Sequence, residues 1–149
     1  MGQSLAQIYV HLVFSTKGRT PFLQDKPFRE RTHAYLAGAC RNLGCPSIIV
    51  GGVADHVHIL CRLSKTQSIA VLVREIKRES SRWIKAEAIP SFSWQSGYGA
   101  FSISPAHVEA LAKYIADQEA HHRREPFQDE FLRLLRKYGI ECDERYVWD

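Results

Sequence analysis

The segment CPSIIVGGVADHVHILCRL, residues 45–63, contains two apolar runs separated by glycines and an aspartate. Runs of this kind, bounded by turn-forming residues, are typical of two antiparallel strands joined by a tight connection. We therefore predict strands at 45–53 and 56–63, connected through Gly51, Gly52 and Asp55. The remaining elements are interpreted relative to this hairpin.

Alternate side chains of a strand share a face of the sheet. In the second strand one face carries His56 and His58 together with Leu60 and Arg62. The other face is uniformly apolar and is expected to contact the core, with these members: Val57, Ile59, Cys61 and Leu63. The two imidazoles are thus predicted to lie side by side on the face away from that core.

The flanking segments complete a recognisable order of elements. They comprise a strand at 5–16, a helix at 25–43, a helix at 68–86, a short hairpin at 92–104, and helices at about 105–124 and 128–138. Asp25, Ser68 and Ser104 stand where helix N-caps are expected, and Gly44 and Gly139 where helices end. Strand–helix–hairpin–helix–strand is the ferredoxin-like (RRM-like) α+β pattern, an antiparallel sheet with helices on one face. The tail, residues 128–149, belongs to the same single domain, residues 1–149.

Composition narrows the class of protein. A chain of 149 residues that is 45% hydrophobic can bury one core. No apolar run approaches the ~20 residues that cross a bilayer, and the N-terminus does not resemble a signal peptide, so we expect no membrane association. Four cysteines without a C-x-x-C pair favour free thiols in a reducing cytoplasm. A net charge of +4 allows a nucleic-acid partner without requiring one.

Imidazole is the commonest protein metal ligand near neutral pH, so His56 and His58 are candidate ligands of one ion. A histidine pair on a strand is also common on a solvated face, and a third ligand must come from elsewhere. The helix at about 105–124 supplies Tyr114 and Gln118, which stand four residues apart and are therefore neighbours. This pair can place a hydroxyl beside a metal whose third ligand is the glutamine amide oxygen.

These residues resemble the single-tyrosine HUH transposases of the IS200-like type. The similarity rests on His56-Val57-His58, on Tyr114 with Gln118 in YIADQ, on HLVFSTK (residues 11–17) and on the glycines before DHVH. It extends from about residue 8 to residue 124.

The resemblance implies cleavage and transfer of single-stranded DNA. Tyr114 would be the nucleophile that forms a 5′-phosphotyrosine link, and His56, His58 and Gln118 would hold Mg²⁺ or Mn²⁺. It also implies DNA with hairpin ends as substrate and a homodimer in solution. A phenol of pKa ~10 is mostly protonated at neutral pH, so attack on phosphorus needs a nearby cation or base.

Basic side chains at three places are candidate DNA contacts. They are Lys17 and Arg19 after the first strand, Arg74, Arg78 and Arg82 on the 68–86 helix, and His121 and Arg123 beyond Gln118. Glutamates interleave the second group, so a solvated helix face with local ion pairs is an equally good interpretation. Phosphate contacts of this kind set affinity but carry no sequence information.

Other functions stay open at this point. A catalytically inert nucleic-acid-binding domain would not need the histidines, Tyr114 and Gln118 together. A small zinc hydrolase would need a further ligand and a base, and Asp55 is expected to face away from the histidines. Within the favoured class, the chain could serve a mobile element or be a host-repurposed relative acting on repeated palindromes. The sequence does not fix the DNA sequence recognised, the native metal, or whether the site forms within or across subunits.

Overall fold

A computed structural model of the chain describes residues 2–122 and 125–149. In these residues the elements are β1 (Ile8–Ser15), α1 (Lys26–Asn42), β2 (Ser47–Val53), β3 (His56–Leu63), α2 (Ile69–Glu87), β4 (Gly99–Ile103), α3 (Val108–Ala116), α4 (Gln118–His121) and α5 (Phe127–Lys137). Short 3-10 turns at Lys17–Arg19 and Pro105–His107 follow β1 and precede α3.

The four strands form one sheet in the order β2-β3-β1-β4, with every neighbouring pair antiparallel. The two central strands, β3 and β1, pair so that His58 lies opposite Val13 and Leu60 opposite His11. This strand order and the β-α-β-β-α-β sequence confirm the predicted ferredoxin-like fold.

Both faces of the sheet are covered. On one face α1 and α2 enclose the main core, to which β3 contributes Val57, Ile59 and Cys61 as predicted. On the other face α5 packs Phe131 and Leu134 against the sheet in a second apolar cluster. The expectation of helices on one face was therefore incomplete, because the C-terminal helices also carry apolar stripes that need a partner.

The predicted ends of α1, α2 and α5 are correct to within about two residues, and the predicted N-caps of α1 and α2 form. The side chain of Asp25 accepts a hydrogen bond from the backbone N–H of Phe28, and that of Ser68 from Val71. Gly139, just beyond α5, adopts φ 65°, the left-handed conformation that ends a helix at low cost.

Two predicted elements differ. The segment 92–104 forms β4 and an isolated bridge rather than a hairpin, because Trp94 pairs with Thr16 at the end of β1 instead of with β4. The Lys77 ammonium also donates to the carbonyls of Gln95 and Gly97 and holds that stretch against α2. The helix predicted at 105–124 is divided at Asp117, whose N–H bonds back to the carbonyls of Lys113 and Tyr114. The segment therefore comprises α3 and α4, and its predicted last residues, 123 and 124, lie outside the described residues.

Among the described residues, no helix combines the length and the apolar character that crossing a bilayer requires. The four cysteines are free thiols, three of them buried and Cys142 exposed.

Candidate active site

The two histidines of β3 lie on the sheet face covered by α3, α4 and α5, and both are fully buried. Nε2 of His56 is 3.2 Å from Oε1 of Gln118 and 3.4 Å from Oε1 of Glu130. Nε2 of His58 is 2.9 Å from the same Glu130 oxygen. Both rings therefore present Nε2 to one centre, and Gln118 joins them there.

The other ring nitrogen of each histidine is also occupied. Nδ1 of His56 is 2.8 Å from Oδ1 of Asp55, and Nδ1 of His58 is 2.8 Å from Nε2 of His11. Partners of this kind fix the tautomer and orientation of a ligating imidazole. The expectation that Asp55 faces away from the histidines is wrong, because Asp55 lies in the turn before β3, where strand alternation does not apply.

Glu130, which the sequence analysis missed, and His122, just after α4, complete the cluster. Glu130 of α5 is fully buried, and its Oε1 lies 3.0 Å from Nε2 of His122 as well as contacting both β3 histidines. The sequence did carry a signal for Glu130, which stands at helical spacing between Phe127 and Leu134 on the apolar face of α5. A charged residue at such a position is rarely buried unless it is paired.

Burial and pairing set the charge of this cluster. Burial lowers the pKa of His58 to about 4, so its ring is neutral near pH 7. For His56, burial acts to lower the pKa, but hydrogen bonds with Asp55 and Glu130 outweigh it and raise the pKa. Burial would raise the pKa of Glu130, yet its bonds to His122, His56 and His58 hold it well below the usual range. Glu130 is therefore a carboxylate.

Tyr114 reaches the same carboxylate from α3. Its hydroxyl donates a hydrogen bond to Oε2 of Glu130 and accepts one from Nη2 of Arg133 at 3.0 Å. The hydroxyl oxygen is also 3.2 Å from Nε2 of His121. Burial and the bond to Glu130 raise the pKa of Tyr114, and the Arg133 guanidinium acts in the opposite direction.

The position of α3 against the sheet is set by a glycine. A Cβ built on Gly51 of β2 would stand 2.6 Å from the backbone oxygen of Ile115, the residue after Tyr114. Real Cβ atoms do not approach a backbone oxygen so closely, so only glycine allows α3 to lie directly on β2. The backbone that carries Tyr114 is thereby held close to β3.

The cluster fits a divalent metal. One ligand atom from each of His56, His58, His122 and Glu130 lies within 4.8 Å of the others. Donor atoms bound ~2.1 Å from one ion are roughly 3.0–3.4 Å apart. The distances from Oε1 of Glu130 to the three imidazole nitrogens, 3.4, 2.9 and 3.0 Å, are close to this range. Imidazoles with a carboxylate and an amide oxygen suit Mn²⁺ better than Mg²⁺, which prefers oxygen ligands.

The structure separates the basic residues singled out in the sequence. Arg74, Arg78 and Arg82 lie on α2, which covers the opposite face of the sheet from the histidines. All three are exposed and contact the glutamates of their own helix, Glu75 and Glu79. They therefore share no surface with the histidine cluster.

The other basic candidates are distributed differently. Lys17 and Arg19 occupy the 3-10 turn after β1, where the guanidinium of Arg19 lies 5.5 Å from the ring centroid of Trp148. His121 contacts Tyr114 and is the predicted basic residue that the structure brings to the cluster. Arg123 lies outside the described residues.

Comparison with known proteins identifies a family and a shared fold. The family model described as "Transposase IS200 like" matches residues 4–118. A candidate transposase from Deinococcus radiodurans R1 has a TM-score of 0.63 at 21% identity, covering 79% of this chain and 96% of that one. A REP-associated tyrosine transposase bound to a REP hairpin has a TM-score of 0.59 at 13% identity, covering 82% of this chain and 74% of that one. None of the curated proteins matches the chain.

Those two likenesses establish a shared fold, and the family model covers most of the chain, including the strand with His56 and His58 and the helix with Tyr114. The chain therefore belongs to the IS200-like transposases.

Proposed function

We propose that this chain cleaves and rejoins single-stranded DNA through a covalent link to Tyr114. The observation that carries the proposal is the shared carboxylate of Glu130, which contacts the Tyr114 hydroxyl and both β3 histidines. A nucleophile and a candidate metal cluster are thus joined by one side chain. A domain that only bound DNA would gain nothing from burying this charged network, which costs desolvation energy.

The side chains suggest how the nucleophile is prepared. Glu130 accepts the hydroxyl hydrogen of Tyr114 and is placed to take its proton as the phenol oxygen attacks phosphorus. Arg133, 3.0 Å from that oxygen, stabilises the developing negative charge. The new bond joins Tyr114 to phosphorus while the bond from phosphorus to the 3′ oxygen breaks, and the 3′ oxygen takes up a proton. Attack by a 3′-hydroxyl reverses the step and rejoins DNA without ATP.

His56, His58 and Gln118 would hold the divalent metal, Mn²⁺ or Mg²⁺, with Glu130 and His122 completing the donor set. When bound, such an ion polarises the phosphate and neutralises charge at phosphorus. Asp55 and His11 orient the two imidazoles by contacting Nδ1 of His56 and Nδ1 of His58, respectively.

We further propose that the substrate is a single strand with hairpin ends. One structural relative is described as bound to a REP hairpin, which makes repeated palindromes a reasonable substrate class for a host-repurposed enzyme. A homodimer joined through an edge strand of the sheet, β2 or β4, remains part of the proposal. The free thiols are compatible with function in a reducing cytoplasm.

The decisive experiment incubates the protein with single strands that carry flanked hairpins, in the presence of Mn²⁺. We expect a protein–DNA adduct that survives denaturation and that peptide mapping assigns to Tyr114. Tyr114→Phe should give no adduct while still binding the strand, and Tyr146→Phe, in the exposed tail, should behave as the unchanged protein. An adduct on another residue, or equal cleavage by Tyr114→Phe, would disprove the role of Tyr114.

A further inference from the structure

A cleft of about 640 Å³, lined in part by Tyr114, opens between α3, α5 and the edge strand β4. We call it the α3–α5 cleft. Its walls include Tyr114, Arg133 and Leu134 on the side of the cluster and Lys137 and Tyr138 further along α5. Because the proposed nucleophile lines the cleft, a strand lying in it would pass the reacting oxygen.

The α3–α5 cleft is suited in charge to a polyanion. Among the described residues no carboxylate lines it, and Arg133 and Lys137 stand one helical turn apart on α5, with His107 on another wall. Side chains with this spacing are neighbours, with Cβ atoms ~5–6 Å apart. Arg133 also pairs with Glu125, which lies outside the lining, at 3.0 Å. Lys137 forms no ion pair within the described part of the chain, so its charge is not neutralised by a neighbouring carboxylate.

Two other cavities differ in this respect. The cavity beside α4 is lined by Glu30, Asp117 and Glu119 along with two cations, and the one between α1 and α2 by Glu75 and Glu79. Neither presents an uninterrupted basic surface to DNA.

A third cavity, on α2, also has no carboxylate among the described residues that line it, but each of its cations is engaged, whereas Lys137 of the α3–α5 cleft is not. Arg74 and Arg78 contact Glu75, and Lys77 donates to backbone carbonyls. That cavity also lies across the sheet from Tyr114.

The α3–α5 cleft also contains an aromatic ring. Tyr138 is half-buried and stacks on Phe101 of β4, with ring centroids 4.7 Å apart and an angle of 23° between the planes. Lys137 Nζ lies 5.7 Å from the centroid of the Tyr138 ring. An aromatic ring beside paired cations is the combination by which proteins bind single strands, stacking the bases and neutralising the phosphates. The hydroxyls of Ser102 and Ser104 add polar partners on the β4 side.

We infer that the α3–α5 cleft binds the single-stranded DNA segment next to the cleaved phosphate. Arg133 contacts the phosphate beside Tyr114, Lys137 contacts the next phosphate along α5, and Tyr138 stacks on a base. The position of the strand in this assignment rests on the proposed function, because the reaction at Tyr114 defines which DNA segment lies in the cleft. The binding itself can be measured without any cleavage.

The first test is photo-crosslinking with a twelve-residue oligothymidylate that contains 4-thiothymidine, bound to the Tyr114→Phe protein. We expect crosslinked peptides from residues 133–138. Crosslinks confined to residues 74–82 of α2 would overturn the inference, because the strand would then lie on the other face of the sheet. The protein used loses one hydroxyl at Tyr114 and keeps the natural residues at every other position, and a circular dichroism spectrum equal to that of the unchanged protein confirms that it is folded.

The second test measures oligothymidylate affinity over a range of salt concentrations. Lys137→Ala should reduce the slope of log affinity against log salt by about 0.7, the value for one phosphate contact in a single strand. Tyr138→Leu, which keeps bulk against Phe101, should weaken binding at least about fivefold. The matched controls are Lys85→Ala on α2 and Tyr146→Leu in the tail, both exposed, and neither should change binding.

The two levels of the proposal fail separately. An adduct on Tyr114 with crosslinks outside α5 would support the proposed function but overturn the assignment of the cleft as the DNA-binding site. Crosslinks in residues 133–138 without any adduct from the unchanged protein would support DNA binding in the cleft but overturn the proposed strand-transfer chemistry. A slope changed by Lys85→Ala and not by Lys137→Ala would also overturn the cleft assignment.

Discussion

Oε1 of Glu130 lies 2.9 Å from Nε2 of His58, although the two residues are 72 positions apart in the chain. The contact joins the last helix to the central strand, and both side chains are fully buried. A carboxylate is costly to bury, so its position among the histidines indicates that cations or a metal ion balance it. Glu130 therefore belongs to the cluster rather than to the apolar packing of α5.

Metal binding should depend on the members of this cluster to different degrees. His56→Ala and His58→Ala should each abolish measurable Mn²⁺ binding, since each removes an imidazole ligand. Glu130→Gln should weaken Mn²⁺ binding at least about tenfold through loss of the anionic donor, and Gln118→Ala should weaken it less, because an amide is a neutral and weaker ligand. The free Mn²⁺ signal in electron paramagnetic resonance gives each dissociation constant without DNA.

His11 should act on metal affinity although it is not a ligand. Its Nε2 atom holds Nδ1 of His58, so His11→Phe should leave that ring free to turn and weaken Mn²⁺ binding by ~10–100-fold. His107→Phe, at an exposed position, is the matched control. Equal Mn²⁺ affinity for His11→Phe and the unchanged protein would show that His58 needs no such support.

Substitution of Gly51 should disturb the tyrosine helix. The Cβ of Gly51→Ala would meet Ile115 O at 2.6 Å and Ile115 Cγ2 at 2.8 Å, so α3 must move away from β2. We expect a lower melting temperature and a large loss of adduct formation. Gly38→Ala, where a Cβ meets nothing within 4 Å inside α1, should raise the free energy of unfolding by about 0.5–1 kcal/mol. Full activity in Gly51→Ala would show that this contact does not position Tyr114.

Much of this architecture could be predicted because it follows from local patterns. The alternation in residues 56–63 separates His56 and His58 from Val57 and Ile59, and the caps at Asp25 and Ser68 locate the helix starts. These features depend on nearest neighbours in the sequence, and the structure agrees with them.

The missed parts depend on contacts between distant segments. Glu130 and His11 meet His58 only after the sheet and α5 have assembled, and no spacing rule links residues so far apart. The division of the predicted 105–124 helix has a similar origin, since Gln118 is buried against His56 in the folded chain. Helical periodicity continues through Asp117 and gives no sign of that break.

The stability of the protein should depend on pH through His33 of α1. Burial, aided by the charge of Arg29, lowers the pKa of His33 to about 4, and its buried Nε2 has no hydrogen-bond partner among the described residues. Between about pH 6.5 and pH 4 the unfolded chain binds a proton that the folded chain does not, so the free energy of unfolding falls as the pH falls. His33→Leu should remove up to ~3 kcal/mol of this loss.

Urea unfolding of metal-free protein at pH 7 and pH 4.5 measures the effect of His33→Leu. Contributions from the other buried histidines are common to both proteins and cancel in the comparison. His107→Leu, at an exposed site, controls for loss of a histidine. Identical pH dependence in His33→Leu and the unchanged protein would contradict the assignment.

Mixing of inactive variants tests how the site is assembled. In this structure Tyr114 and the two β3 histidines come from the same chain, with the rings of His58 and Tyr114 6.1 Å apart. A mixture of Tyr114→Phe with the double variant His56→Ala/His58→Ala should therefore give no adduct. Recovered adduct would mean that the tyrosine helix serves a partner subunit. Light scattering at micromolar concentration tests the proposed homodimer independently, and a monomeric mass would exclude it.

The 72 residues between His58 and Glu130 also have a consequence for synthesis. Ribosomes add roughly 5–20 residues each second, so about 4–14 s pass between synthesis of His58 and synthesis of Glu130. Throughout that interval a growing chain contains both histidines but lacks the Glu130 carboxylate and Arg133. The side chains that we propose activate Tyr114 are thus absent from a nascent chain for as long as synthesis of these 72 residues takes. A chain released within that interval would carry both histidines without Glu130 and Arg133.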